Sequence, residues 1–342
     1  MFWLDNEKFF SIIIATYNSE HTLAYTLKSI RHQSIDQDKV EILVVDGGST
    51  DSTRQIAKKY GAKVFDNPKR LPEYAKAIGT SHAVGKYILR MDSDEEFSYH
   101  TQLQDKMDFL IRHPELKVLI PNRCIRGRKD ICGICADYMN TFGDPFSYFV
   151  YNTKIDKYDT YRKNIIREEG RCAIMEFGQG DIYPLADSAT SILSLEYMKE
   201  KYPDIYDTIE FVCAAYDKVI ADTKLCGVIK GDDIKHNCNS SFGTYFSKLK
   251  FRVINNLFNK RESGFSSKEV YSRKLKARKI LFCFYALFIP LPILDSLRLC
   301  VVYKNPTYLL HFIYLYYVCI QIAVLGLVKI MGGERRNITF GK

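Results

Sequence analysis

No internal repeat and no low-complexity tract is visible in this 342-residue sequence, and no secretory leader is expected. The first two absences exclude a solenoid and a disordered chain. The third follows from residues 1–10, which lack a basic start followed by an apolar run. Also missing is a G-x-G-x-x-G after the first expected strand. That position reads Ala-Thr-Tyr-Asn-Ser-Glu at 15–20, which argues against a dinucleotide-dependent oxidoreductase. Cysteine is present but scattered. Cys132 and Cys135 form a single C-x-x-C, with Cys124 and Cys172 as poorly spaced companions, and one pair does not supply a four-ligand zinc site. The ten cysteines therefore read as free thiols of a reducing compartment.

What is present fits a folded protein with a large core. Charged residues make up 26% of the chain and hydrophobic ones 46%. The formal net charge of +9 is concentrated between residues 248 and 279, where Lys and Arg recur against only Glu262 and Glu269. A solvated helix face is the plain reading of such a run. Its place just before an apolar segment favours contact with anionic lipid headgroups. No nucleic-acid partner is expected.

Over the first 120 residues short β-rich runs alternate with helical patterns. Strands are expected at 9–15, 41–45, 62–65, 86–91 and 116–120, and helices from Ser19, near 51–60, at 72–83 and at 99–112. Alternation of this kind predicts an α/β fold with a mostly parallel sheet covered by helices on both faces. Ligands of such sheets sit beyond the carboxyl ends of the strands. Residues 121–161 lack periodicity and read as loops and short helices, and helical pattern returns at 196–201 and 209–223. Toward the end, 280–294 is apolar but short and holds Pro290 and Pro292, which suits an interfacial or re-entrant helix as well as a crossing. Residues 307–328 carry no charged side chain and are long enough to span a bilayer. Basic residues flank the pair, Arg278 and Lys279 before and Lys329, Arg335 and Arg336 after, so two crossings would leave both chain ends in the cytoplasm.

Three acidic residues fall where strands should end: Asp46, Asp92 and Asp94. A carboxylate at the mouth of a parallel sheet is partly desolvated and close to like charge, so it adds little stability. Two Asp residues separated by one can share a hard divalent cation, which would neutralise a diphosphate. Around them stand Ser-Ile-Ile-Ile-Ala-Thr-Tyr-Asn at 11–18, Val-Val-Asp-Gly-Gly-Ser-Thr-Asp at 44–51 and Tyr-Ile-Leu-Arg-Met-Asp-Ser-Asp at 87–94. In order and spacing these resemble the three successive signatures of family 2 inverting glycosyltransferases with the GT-A fold. The resemblance implies a UDP- or GDP-sugar donor and a Mg²⁺ or Mn²⁺ cofactor. It also implies that Thr16, Tyr17 and Asn18 line the nucleotide pocket with Glu20 beyond, that Asp46 bonds the base, and that Gly47 and Ser49 leave room for it. By the same resemblance Asp92 approaches the ribose or diphosphate, Asp94 ligates the metal and His236 helps bind metal or diphosphate. In Pro-Glu-Tyr-Ala-Lys-Ala-Ile-Gly at 72–79, Lys76 stands where the family shows an Arg. Lys76 is expected to reach a phosphate.

For the acceptor side the family supplies a base from a Glu-Asp pair opening a helix. Tyr216-Asp217 occupies the corresponding place without the Glu, and Asp217 is the first choice, with Glu210 and Asp187 as rivals. The expected organisation is a catalytic domain at 1–240, with a nucleotide-sugar half at 1–120 and an acceptor half at 121–240. A basic juxtamembrane segment at 241–279 and a membrane-associated region at 280–330 follow. The apolar end favours a lipid-linked acceptor, a polyprenyl phosphate or a lipid-linked glycan, at the cytoplasmic face of the cell membrane. A truncation after about Lys279 would then leave a domain that still binds nucleotide. The competing reading is a catalytically inactive, membrane-tethered relative that acts as a binding or scaffold subunit.

Overall fold

Apolar runs flanked by turn residues set the centre of the molecule. A computed structural model describes residues 7–154, 156–178, 180–184, 190–258 and 273–332. The expected runs become strands β1 (Phe10–Thr16), β2 (Val40–Asp46), β3 (Lys63–Asp66) and β4 (Tyr87–Asp92), parallel and ordered β3-β2-β1-β4. Side chains of β1 leave to alternate sides, so Ile12 and Ile14 join one buried cluster and Ile13 another. A strand covered on both faces needs no polar side, which is why three isoleucines in a row suit it.

Helices cover both faces. Of α1 (Leu23–Arg31), α2 (Thr53–Lys59), α3 (Pro72–His82) and α4 (Gln102–Arg112), α1 and α4 bring Leu23, Leu27, Ile30, Leu103 and Phe109 to the first cluster. On the opposite face α3 contributes Ala75. The expected cap Ser19 lies three residues ahead of the observed N-cap, Thr22. The Ser19 N–H is instead held by the Thr53 hydroxyl at 2.7 Å, which fixes the loop before the helix can begin.

Shorter elements extend this frame. They are β5 (Glu95–Phe97), β6 (Val118–Ile120), β7 (Arg123–Arg126), α5 (Ala136–Phe142), α6 (Pro145–Val150), α7 (Lys157–Thr160), β8 (Ile165–Glu169), β9 (Cys172–Glu176), β10 (Ile192–Ser194), α8 (Leu195–Lys201), α9 (Ile209–Thr223), β11 (Leu225–Ile229) and β12 (Asp233–His236). The main sheet runs β3-β2-β1-β4-β10-β6-β11-β9-β8, with β9 and β10 against the rest, so it is mostly parallel as expected. A second sheet, β5-β12-β7, was not anticipated because its strands are only three or four residues long. It is pinned to α4 by Asp232, whose carboxylate accepts from the Lys106 ammonium and from Gln102 Nε2 at 2.7 Å. Neither Lys106 nor Asp232 has any exposed side-chain surface.

The register of the central strands places the acidic residues. Thr16 of β1 is level with Asp46 of β2, and Ala15 with Asp92 of β4. Neighbouring strands lie about 4.8 Å apart, so one intervening strand separates Asp46 from Asp92 by about 10 Å.

Among the described residues four helices close the chain: α10 (Phe242–Phe258), α11 (Arg273–Leu287), α12 (Pro290–Tyr303) and α13 (His311–Ile330). They form a layer on α5 and α6, with Tyr138, Phe142, Tyr245 and Tyr314 in one aromatic core. The buried His311 ring is held at both nitrogens, by the Tyr138 hydroxyl and by the Tyr285 hydroxyl at 3.0 Å. Of the basic run, Lys260, Arg261 and Lys268 lie outside the described residues, as do Arg335 and Arg336.

Candidate active site

Two loops at the carboxyl edge of the sheet are laced together by the residues expected to bind nucleotide. The Asp46 side chain is 0% exposed. Its carboxylate accepts from Thr16 Oγ1 at 2.9 Å, the Ser49 hydroxyl, the Ser49 N–H at 2.9 Å, the Gly48 N–H at 3.2 Å and Arg54 Nη1 at 3.2 Å. Burial alone would raise its pKa, but these donors together hold it below the usual carboxylate range. Gly48 adopts φ +84°, a backbone angle that glycine takes without strain. Asn18 bridges the loops, its N–H on Ser49 Oγ at 2.8 Å and its Oδ1 on the Thr50 N–H at 2.9 Å. Glu20 does likewise through the Ser52 N–H at 3.0 Å. Asp46, Asn18 and Glu20 therefore build the loops, and a base would meet the Asp46 carboxylate only by displacing one of its donors.

Residues without a sequence signal complete this pocket. Arg70, at φ +57°, lays its guanidinium 5.5 Å from the Tyr17 ring centroid, beside Gly47 and Gly48. Asn67 is 4% exposed and gives its N–H to the Asp46 carbonyl at 2.7 Å, while its Oδ1 finds no hydrogen-bond partner among the described residues. A buried unpaired acceptor is costly, and here it borders the expected base site.

Asp92, Ser93 and Asp94 turn the chain from β4 into β5. Asp94 Oδ2 lies 3.2 Å from His236 Nε2, and His236 Nδ1 lies 2.8 Å from Asn140 Oδ1. β12 thus delivers the expected histidine to the expected aspartate across more than a hundred residues. Burial opposes both charges, yet the contact with His236 holds Asp94 below the carboxylate range, and Asp94 raises His236 well above the usual histidine value. The neighbouring Glu95 is nearly fully buried and accepts the Asp92 N–H at 2.9 Å. Burial first, then the charge of Asp92, pushes its pKa well up. Among the described residues no group of three His, Cys, Asp or Glu side chains is arranged around a metal position, so Asp92 stands beside the Asp94–His236 pair rather than in a preformed triad. The C-x-x-C points two ways, Cys132 Sγ to the His236 carbonyl and Cys135 Sγ to Tyr314.

The acceptor-side helix forms over the expected 209–223, with Asp217 inside it. Asp217 does not open a helix. α9 begins at Ile209, and Asp217 lies in its third turn, 4% exposed. Arg90, two residues before Asp92, bonds the Val212 carbonyl at 2.9 Å, so the first turn of α9 is level with the end of β4. Asp217 is buried next to Tyr216, whose ring centroid lies 5.1 Å from the same Arg90 guanidinium, whereas the exposed Glu210 occupies the first turn. Asp187 lies outside the described residues. Lys76 is partly exposed in the second turn of α3, with its backbone carbonyl on Thr80 Oγ1 at 2.8 Å.

Residues 11–130 match the family described as Glycosyl transferase family 2. The poly(ribitol-phosphate) beta-N-acetylglucosaminyltransferase TarS of Staphylococcus aureus is 33% identical over 125 residues, 35% of this chain and 22% of that protein. The minor teichoic acid biosynthesis protein GgaA of Bacillus subtilis is 32% identical over 130 residues, 35% of this chain and 29% of that protein. The matched part is thus less than a third of either relative's length. Two crystal structures show a similar fold. The mannosyltransferase PcManGT of Pyrobaculum calidifontis, in complex with GDP-Man and Mn²⁺, has a TM-score of 0.51 at 13% identity, covering 93% of this chain and 87% of that one. Residues 1–349 of S. aureus TarS, in complex with UDP-GlcNAc, give 0.50 at 19% identity, covering 98% and 95%.

Proposed function

We propose that this chain, built around a family 2 glycosyl transferase domain, transfers a sugar from a UDP- or GDP-sugar to a lipid-linked acceptor, a polyprenyl phosphate or lipid-linked glycan, at the cytoplasmic face of the cell membrane. One observation carries the reading: Asp46 ends β2 and Asp92 ends β4, the strands on either side of β1, Asp94 follows in the turn, and His236 arrives there from β12. Residues 1–120 hold the donor and residues 121–240 the acceptor.

The chemistry is a single displacement with inversion. The acceptor oxygen forms a bond to the anomeric carbon as the bond to the diphosphate oxygen breaks, and a hydroxyl acceptor gives up its proton to a base. Glu210, in the first turn of α9, fits the base better than the recessed Asp217. An acceptor phosphate, already ionised, needs no strong base. Tyr17, Arg70 and the Gly47–Gly48 backbone hold the nucleoside, and Asp92 and Lys76 face the phosphates. Asp94 Oδ2 would supply a carboxylate oxygen to Mg²⁺ or Mn²⁺ beside phosphate oxygens, and His236 Nε2, which must first lose the proton that Asp94 stabilises, a nitrogen. The ion, when bound, offsets the charge of the departing diphosphate.

Labelled UDP- and GDP-sugars offered to the purified protein with a membrane lipid extract and Mn²⁺ test the proposal. Label should enter a lipid product of defined mass, and Glu210→Gln should slow transfer to a hydroxyl acceptor far more than Asp217→Asn. Neither donor hydrolysis nor transfer from any donor would leave the scaffold reading in its place.

A further inference from the structure

Apart from the sheet edge, the surface least explained by the fold is the elbow between α11 and α12. The two helices meet at 97°. Leu281, Phe284, Leu287, Phe288, Leu291 and Leu294 are all exposed around the turn, Phe284 by 65% and Leu287 by 79%. Soluble monomers rarely leave so continuous an apolar patch uncovered. Between Lys279 and Leu287 the helix rises about 12 Å, close to half of a hydrocarbon core of about 30 Å. The elbow can therefore enter one leaflet and is too short to cross two. Its rim carries Lys276 and Lys279 before it and Lys304 after it, with Lys274 paired to Asp181 at 3.2 Å and Arg298 to Asp295 at 2.7 Å. Such a rim is complementary to anionic headgroups.

The apolar helix that follows is different. Pro306–Ile330, 25 residues, is long and apolar enough to cross a bilayer. Yet α10 lies along it. The Tyr245 and Tyr314 rings are 4.8 Å apart and those of Phe246 and Tyr317 4.6 Å, and the Lys329 ammonium sits 5.6 Å over Phe258 and bonds the Leu257 carbonyl. Between these contacts α10 carries Lys248, Lys250 and Arg252, the last paired with Asp144 at 3.0 Å. A crossing α13 would draw these cations, and the loops around α5 and α6, into hydrocarbon. Charges and open backbone are not tolerated there.

We infer that the C-terminal layer is monotopic: the α11–α12 elbow dips into one leaflet of an anionic membrane, α10 and α13 stay at its surface, and none of the four helices crosses. This rests on the membrane part of the proposed function and not on sugar transfer.

Flotation of the full chain with sealed vesicles tests it first. Protein should rise with phosphatidylcholine vesicles containing phosphatidylserine, less so at high salt or without the anionic lipid. Leu287→Glu with Phe288→Glu should lower the floating fraction about tenfold while nucleotide binding stays as in the parent. Nucleotide binding on the same samples reports separately on the transferase reading. Second, Lys304→Cys and Met331→Cys, in sealed membranes with the catalytic domain outward, should both take an impermeant maleimide, located by mass spectrometry. Labelling of either site only after the membrane is opened means a crossing helix and overturns the inference. So does flotation unaffected by the double substitution, or a double substitution that instead dissolves an oligomer, which would give the apolar face to a second copy of the chain.

Discussion

At the scale of single residues, charge is handled differently at two buried carboxylates, Asp46 and Glu95. Asp46 is ionised and enclosed by five donors, and its value lies in holding two loops in place. Asp46→Ala strands those donors, with an expected loss of about 2–4 kcal/mol in urea unfolding and a parallel loss of nucleotide affinity. Glu95 is the opposite case, a buried acid whose pKa is raised by burial and by Asp92. An acid with a raised folded-state pKa binds more protons folded than unfolded, so its contribution to stability falls as pH rises past the ordinary glutamate value. Glu95→Gln mimics the protonated form. Compared with the parent it should be nearly neutral at pH 5 and relatively more stable at pH 8, as read by thermal unfolding. The sequence already displayed these acids, because Asp-Ser-Asp-Glu-Glu at 92–96 is a visible cluster. Asn67 and Arg70 gave no such signal, since only the strand order brings them beside Asp46 and Tyr17.

At the scale of elements, parallel strands were legible because strands buried on both faces must be continuously apolar, and the runs at 12–14 and 42–45 are. The three-residue and four-residue strands of the second sheet were not, because so short a segment has no measurable period. That sheet matters, for β12 carries His236 to Asp94. Its tie to α4 is the enclosed Lys106–Asp232 pair. Breaking a buried pair by removing one partner leaves the other charge unpaired, so Asp232→Ala should cost about 3–5 kcal/mol in denaturant unfolding. A loss below about 1 kcal/mol would mean that the second sheet is held by other contacts. The helix expected at 209–223 forms over that span, capped by Thr208 through its hydroxyl on the Phe211 N–H, so Asp217 falls inside it rather than at its start.

At the scale of the whole molecule, the apolar tail was legible from composition, but its relation to the body was not. Expected as a separable membrane part, it packs its His311 and Tyr314 into one core with Tyr138 and Tyr245. Cutting after Lys279 would uncover those rings. The truncated chain should therefore aggregate or lose its cooperative thermal transition, and a soluble, nucleotide-binding product would restore the two-part view. On the proposed reading, the apolar elbow belongs to the same packed body as the sheet edge, so docking the elbow on a membrane would bring that edge toward a lipid-linked acceptor.

The most direct test of the donor site is calorimetric titration of UDP and GDP into the purified protein, with and without Mn²⁺, for the parent and for Asp94→Asn. One of the two nucleotides should bind the parent about tenfold or more tightly with the ion present, and Asp94→Asn should fold normally yet lose that gain. Binding indifferent to both Mn²⁺ and the substitution would contradict a donor site built on Asp94 and His236.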